Sequence, residues 1–313
     1  MKHLFIVNPA AGKRDYTEAV RSKVMAAFAQ RSDEYEIYVT QAPMDAAHKI
    51  ALEAERCEQL RVYACGGDGT FNECVCGAAN RPNVAACPFP TGTGNDFCRM
   101  FGEDKDLFRN LDALLDGHIV PIDLISCNGR YSANICSVGI DARIGIDVHK
   151  YSSLPIIGGA TAYVVSTVVN VFKGISRYMN IHSGSFSASG KHALVCACNG
   201  RFYGGGFNPS LTARPDDGIM DVFVVKDVSL FRLASLIGKY AAGRADEFPQ
   251  YVTHLHTDEV EIVFNEENVI NLDGEAMYAD TVRMQLIPGA LQLIVPAGLH
   301  FFDEEMQAAA SAQ

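Results

Sequence analysis

Three acids carry the strongest chemical signal in the sequence: Asp68, set among Gly66, Gly67 and Gly69 in GGDGT, and the Asp273/Glu275 pair of NLDGE. Glycines beside an acid leave no side chain between backbone N–H groups and an approaching phosphate, and they reach conformations closed to other residues. Asp68 itself would repel a bare phosphate. It makes sense if it contacts a magnesium ion through water or accepts a proton from an attacking hydroxyl. Asp273 and Glu275, on either side of Gly274, are expected to share one side of a strand end, where mutual repulsion raises one pKa. The competing reading is a solvated hairpin turn that happens to carry two acids. Together these groups suit phosphoryl transfer, which needs positioning, magnesium and a carboxylate near the attacking oxygen.

The elements that must position them alternate. Apolar runs at 4–7, 35–39, 61–64 and 84–89 read as buried strands, separated by helical patterns at 17–29, 46–55, 71–79 and 107–115. That rhythm predicts an α/β domain, a parallel sheet with helices on its faces. In such a sheet the ligand crevice lies at the carboxyl ends of the strands. Three unusual turns fall there: NPAAGK after the first strand, GGDGT after the third and PTGTGND after the fourth. The helix expected to begin near Thr70 adds the favourable end of its dipole, with Thr70 as a cap or phosphate donor. One glycine turn could be only a tight connection; three on one sheet edge point to an anion cradle. No GxxxxGK[ST] Walker loop occurs.

Past about Asp123 the pattern changes to closely spaced strand candidates interrupted by two longer helical patterns, which predicts an antiparallel sandwich or barrel. The expected organisation is a nucleotide-binding domain over 1–123 and a β-rich domain over 124–297, with 298–313 packing back on the first. The boundary is placed near Pro121–Ser126, and ligands commonly sit where two domains meet.

Composition limits the alternatives. The chain has 313 residues, 48% of them hydrophobic, with 26 basic and 37 acidic side chains for a net charge of -11. No electrostatic footprint for nucleic acid is present, so an anionic ligand must be held locally by backbone N–H groups, a few basic side chains or a divalent cation. The short apolar run of MKHLFIVNPAAGK does not read as a signal peptide, and the ten scattered cysteines read as reduced thiols, so a cytoplasmic protein is expected. The CxC pairs, Cys74/Cys76 and Cys196/Cys198, read as buried small side chains in preference to zinc ligands. The uncharged stretch 151–172 is long enough to span a bilayer, but its proline, glycines and polar residues favour a buried or lipid-contacting helix. His254 and His256 share a strand face without an identifiable third ligand and read as surface or packed histidines. SLFRLASLIGKY reads as the core face of a helix, although Arg232 and Lys239 would suit an interface with lipid.

The ordered set NPAAGK, GGDGTFNE, PTGTGNDF, YSANICSVGIDA, RPDDGIMDV and NLDGE resembles the diacylglycerol kinase-like lipid kinases, the family that includes sphingosine and ceramide kinases, over nearly the whole chain. GGDGT alone is shared with NAD kinases and phosphofructokinases. The combination is what is specific. The resemblance implies transfer of the γ-phosphoryl group of ATP to a lipid hydroxyl, at a cleft between a nucleotide domain and a β-rich lipid domain, by a protein that meets the membrane transiently. It implies nucleotide-site positions at Asn8, Pro9, Ala10, Ala11, Gly12, Thr40, Gly66, Gly67, Asp68, Gly69, Thr70, Asn72, Glu73 and Thr93, with Asn95 and Asp96 bracing the cleft. It also implies a Mg2+ site formed by the Arg214 and Ile219 carbonyls and the Asp217 carboxylate. Glu275 looks like the proton acceptor, beside Asp273, although Asp68, Asp273 and Glu275 all stay candidates for the base. Ala11 stands where the family usually has serine, so one phosphate contact worth about 1 kcal/mol is missing and weaker nucleotide binding is expected. Arg143 stands where a small or acidic residue is usual, and reads as a bias on headgroup choice or as surface variation. An NAD kinase-like activity and a non-catalytic nucleotide or lipid sensor are the competing readings. The lipid and the oligomeric state, a homodimer included, stay open.

Overall fold

The structure, a computed structural model, describes residues 1–12, 15–91, 95–152, 170 and 174–303. The chain divides into two units, Met1–Ile122 with Gly289–Gln313, and Asp123–Pro288. The first unit runs β1 (Lys2–Val7), α1 (Thr17–Phe28), β2 (Glu34–Val39), α2 (Asp45–Ala54), β3 (Leu60–Gly66), α3 (Asp68–Ala78), β4 (Val84–Pro90) and α4 (Asp96–Arg99). A 3-10 helix (Gly102–Arg109), α5 (Leu111–Leu115) and the start of β5 (His118–Cys127) follow.

The strands lie in the order β2-β1-β3-β4 and pair in parallel. Every residue of β3 and β4 is buried, as central strands covered on both faces require. Arg61 is tolerated inside β3 because its guanidinium donates to the carbonyls of Leu115 at 3.1 Å and Gly117 at 2.7 Å. The helix expected over 107–115 is split at Asn110. Its backbone is extended and its side chain accepts from the Asp112 and Ala113 amides, capping α5 as a separate helix.

The second unit takes in the rest of β5, then β6 (Arg130–Ser132), β7 (Ile135–Gly139), α6 (Ile140–Ser152), β8 (Arg177–Ser183), β9 (Phe186–Cys198) and β10 (Met220–Lys226). It continues with α7 (Leu230–Tyr240), β11 (Val252–Thr257), β12 (Glu259–Leu272) and most of β13 (Glu275–Val295). The division between units lies inside the strand β5 rather than in a linker. The sequence reading starts the return to the first unit at residue 298. The structure starts it at Gly289, because the end of β13 pairs in parallel with β4 through Gln292 and Leu293.

Antiparallel pairing curls the second unit's sheet on itself. Strand β9 pairs with β7 through Leu194–Cys198 and with β8 through Phe186–His192. Strand β12 likewise pairs with β7 through Ile270–Leu272 and with β8 through Glu261–Phe264, with a register shift between the two parts that lets it bend. Alternation then separates two cores. Val195, Ala197, Met220, Val222 and Val224 face one; Leu194, Cys196, Cys198 and Phe223 face the other, with Tyr240 and Phe248. Burial on both faces is why these strands read as unbroken apolar runs. Cys196 and Cys198 are buried within that second core.

Helix α7 does not bury the face its periodicity suggested. Tyr240 is buried and Leu236 packs on the second core, but Leu230, Ile237 and above all Phe231, 89% exposed, face solvent. Most of the uncharged stretch 151–172 lies outside the described residues. Among the described residues no helix is long and apolar enough to cross a membrane.

The amino edge of the first unit's sheet is tied by charge. Glu53 accepts from Lys2 at 2.7 Å and Lys49 at 2.9 Å, and Glu36 takes the same two lysines at 2.7 and 2.6 Å. Hydrogen bonds from Lys2 and Lys49 hold the buried Glu53 carboxyl down to about 2. Because that is below its unfolded value of 4.5, the stabilisation is complete above that pH and lost as pH falls towards 2. Glu53→Gln is expected to cost about 1–3 kcal/mol at neutral pH, and the deficit should disappear near pH 2; urea unfolding at the two pH values checks this.

Candidate functional site

The first unit gathers four turns at the carboxyl ends of its parallel strands. Asn8 follows β1, Thr40 follows β2, Gly67 and Asp68 follow β3, and Thr91 opens the turn after β4. The turns are joined to one another. Asn8 Nδ2 donates to Thr70 Oγ1 at 3.2 Å, and Asn8 Oδ1 accepts the Ala10 amide, setting the turn through Pro9. The Ala11 amide donates to the Asn8 carbonyl, and Gly12 takes a left-handed φ of 85° that closes the turn. The Thr40 amide and hydroxyl both donate to the Val7 carbonyl.

Gly66 and Gly67 are glycines for different reasons. A Cβ on Gly66 would lie 2.2 Å from Thr70 Oγ1, so only glycine lets α3 start so close to the end of β3. A Cβ on Gly67 would meet nothing within 4 Å. Gly67 is the residue before the first turn of α3, and no side chain caps that turn. An uncapped helix start approached across bare backbone leaves its first N–H groups without side-chain acceptors, which is the arrangement an anion needs.

One expected role is corrected. The helix begins at Asp68, two residues before Thr70, so Thr70 is a buried third residue and not a cap. Asp68 Oδ1 accepts the Asp96 amide at 2.8 Å, which ties the turn after β4 to the start of α3. Asn95 is buried and donates to the Gly66 carbonyl at 3.4 Å, and Asp96 pairs with Arg99 at 3.0 Å. Asn72 is buried, and Glu73 accepts the Ala46 amide at 3.3 Å, capping the start of α2. Gly69 lies in the first turn of α3, half-buried. Thr93 lies outside the described residues.

The second unit treats its two expected acids unequally. Leu272 pairs with Glu275, leaving Asp273 and Gly274 as a two-residue hairpin turn with φ of 51° and 98°, the signs a type I′ turn requires. The Asp273 carboxylate accepts from the Ser132 hydroxyl at 2.6 Å and from the amides of Ala133, Asn134 and Ile135 at 2.9, 3.2 and 2.8 Å. It anchors the segment leading into β7. Glu275, the next residue of the strand, is exposed. Asn271 Oδ1 accepts the Gly274 amide and Asn271 Nδ2 reaches Ser137 Oγ, fixing the turn from behind.

In the loop at 214–219 the Arg214 guanidinium forks onto Asp216 at 3.0 and 2.9 Å, and the Ile219 amide donates to Asp217 Oδ1 at 3.0 Å. Buried Asp123, which the sequence reading passed over, accepts the Gly218 amide at 2.8 Å and donates its own amide to the Pro215 carbonyl. Asp217 is exposed by surface area, yet its carboxyl is pushed up from the usual range. Displacement of water by the surrounding chain is the first cause, and the charges of Asp123, Asp216 and Asp221 add to it. A divalent cation would relieve that crowding, as the Mg2+ site implied by the resemblance needs.

Two further residues stand out. Asp141, the second residue of α6, accepts the Ala142 amide at 2.7 Å, and burial pushes its carboxyl up to about 7. An acid directly after the buried run SVGI was the available signal. Arg143 is not surface variation: its side chain donates to the carbonyls of Gly139, Gly174 and Ile175 at 3.3, 2.7 and 3.0 Å, and burial lowers its pKa to about 10.

Comparison with known proteins identifies the family. The sequence profile of the diacylglycerol kinase catalytic domain matches residues 2–127, and that of the YegS C-terminal NAD kinase beta sandwich-like domain matches residues 134–295. A Pseudomonas aeruginosa (strain PAO1) protein named a probable lipid kinase, YegS-like, is 31% identical over 297 residues, covering 92% of this chain and 93% of that protein. A Shewanella frigidimarina protein of the same name is 28% identical over 240 residues, covering 75% of this chain and 76% of that one. The crystal structure of a candidate diacylglycerol kinase from Bacillus anthracis str. Sterne superposes with a TM-score of 0.73 at 25% identity, covering 95% of this chain and 98% of its own.

Asp141 gives a pH signature. Its folded pKa lies above the unfolded value of 3.8, so the folded state gains from the protonated acid below that pH and loses the gain as pH rises through about 7. Asp141→Asn should therefore raise the unfolding midpoint at pH 8 and leave it unchanged near pH 4. A calorimetric series over that interval measures the crossover.

Proposed function

The chain belongs to the diacylglycerol kinase-like lipid kinases and is a kinase, and from that premise we propose that it transfers the γ-phosphoryl group of ATP to the hydroxyl of a membrane lipid. The observation that carries the proposal is the uncapped start of α3 behind Gly67, where backbone N–H groups and the helix dipole can receive phosphate oxygens. Asn8 and the Asn95–Asp96 turn are tied to that point, and Asp68 holds the last of them in register.

Bond changes are simple. The lipid hydroxyl oxygen forms a bond to the γ-phosphorus, the bond to the β,γ-bridging oxygen breaks, ADP leaves, and the hydroxyl proton passes to a carboxylate. With Asp273 saturated by amide donors, Glu275 is the acid assigned to take that proton. Mg2+, held by Asp217 and the Arg214 and Ile219 carbonyls, would neutralise charge on the phosphates. Ala11 removes one hydroxyl contact, which is expected to raise the KM for ATP and leave turnover intact.

The acceptor is assigned to a membrane because α7 presents Leu230, Phe231 and Ile237 to solvent, with Arg232 and Lys239 on the same helix to meet anionic headgroups. Phe231→Ser should reduce co-flotation with anionic lipid vesicles several-fold while leaving the fold unchanged by circular dichroism. Unchanged flotation would remove α7 from the membrane contact.

Activity tests the site itself. Purified protein given ATP, Mg2+ and vesicles of diacylglycerol, sphingoid base, ceramide or phosphatidylglycerol should phosphorylate at least one of them. Gly67→Val fits the free space and the extended backbone but fills the approach to α3, so it should lose about a hundredfold in kcat/KM with little change in melting temperature. Glu275→Gln should lower kcat by about a hundredfold or more. A Gly67→Val protein with full activity would exclude this phosphate site.

A further inference from the structure

Asp221, His254 and His256 converge on the face of β10 and β11. Asp221 pairs with His256 across the two antiparallel strands, and His254 lies two residues back on the same face. Asp221 Oδ1 is 3.2 Å from His254 Nε2 and 3.0 Å from His256 Nε2, and all three atoms lie within 4.8 Å of one another. Spacing within β11 shows the two histidines but no third group, because Asp221 comes from another strand. Two ligands each about 2.1 Å from a tetrahedral ion are about 3.4 Å apart, so one ion satisfies these distances with small adjustments of the rings.

The groups behind the three donors are arranged as those of a metal centre are. His254 Nδ1 faces Asp246 Oδ1 at 3.3 Å, the carboxylate–imidazole contact that fixes ring orientation and leaves Nε2 for the metal. Asp221 is buried, and its other oxygen accepts the hydroxyl of buried Ser210, which leaves Oδ1 directed at the histidines. The His254 ring stacks on Phe223 with centroids 4.3 Å apart. His256 is largely exposed, so the centre opens to solvent on that side.

We propose that Asp221 Oδ1, His254 Nε2 and His256 Nε2 bind one divalent transition-metal ion of the zinc class, with a fourth position open to water. Two imidazoles and one carboxylate suit Zn2+ and not Mg2+, which takes oxygen ligands in octahedral geometry. The centre uses none of the residues assigned to phosphoryl transfer. It joins β11, the last strand in the sheet order among the described residues, to β10 and, through Asp246, to the 3-10 turn Ala245–Glu247.

The test is a titration of the full-length, chelator-treated protein with Zn2+ and with Co2+, in excess Mg2+ to fill oxygen-ligand sites. One equivalent should bind, and Co2+ should give visible bands of nitrogen and oxygen ligation without a thiolate charge-transfer band. His256→Gln changes an exposed side chain and should fold normally, yet weaken Zn2+ binding more than tenfold. Asp246→Asn should weaken it about tenfold by releasing the His254 ring. Zn2+ should also raise the melting temperature of the wild type and not of His256→Gln. Absence of a stoichiometric site, a thiolate band, or equal affinity in wild type and His256→Gln would each overturn the proposal.

Discussion

The proposed phosphate cradle depends on the missing side chain of Gly66. Thr70 Oγ1 stands 2.2 Å from where its Cβ would be, and from there it accepts the Asn8 carboxamide. The Gly66 carbonyl accepts from Asn95 and from the Thr91 amide. One glycine therefore links the turns after β1, β3 and β4. Any side chain there would push α3 away from the strand and separate the groups that meet at its first turn. The spatial freedom at Gly67 matters only because Gly66 holds the helix in place.

Three of the described acids serve as anchors. Asp68 receives the Asp96 amide, Asp123 the Gly218 amide, and Asp273 a hydroxyl and three amides. A carboxylate with two oxygens and about four lone-pair sites can organise a turn that has no regular hydrogen-bonding partner. The motifs that look most chemical are thus partly the motifs that hold irregular backbone at a sheet edge. Glu275 differs because its neighbour takes the anchoring role and leaves it exposed on the strand.

Much of the fold was legible. The alternation of buried runs and helical patterns locates β1 to β4 and α1 to α3 within a few residues, because a parallel sheet buried on both faces leaves long apolar runs. The split at Asn110 was hidden, since a capping carboxamide is indistinguishable from an ordinary helix-surface residue until the backbone is seen. Site positions in unit one were legible as glycine turns, but the roles of Asp68, Thr70 and Glu73 were not, because each depends on a partner far away in sequence. Asp221 and Asp123 escaped for the same reason. Closely spaced apolar runs predicted strands in unit two. They could not show that α7 leaves Phe231 in solvent, because an amphipathic pattern gives a stripe and not what covers it.

The central claim is that phosphate oxygens settle on the backbone at the start of α3. Protein labelled with 15N-glycine and titrated with ATP and Mg2+ reads this directly. The Gly67 and Gly69 amide resonances should move strongly downfield at saturation, while those of the Gly184 and Gly190 hairpin in the second unit stay still. Saturable ATP binding that leaves Gly67 and Gly69 unmoved would contradict the account.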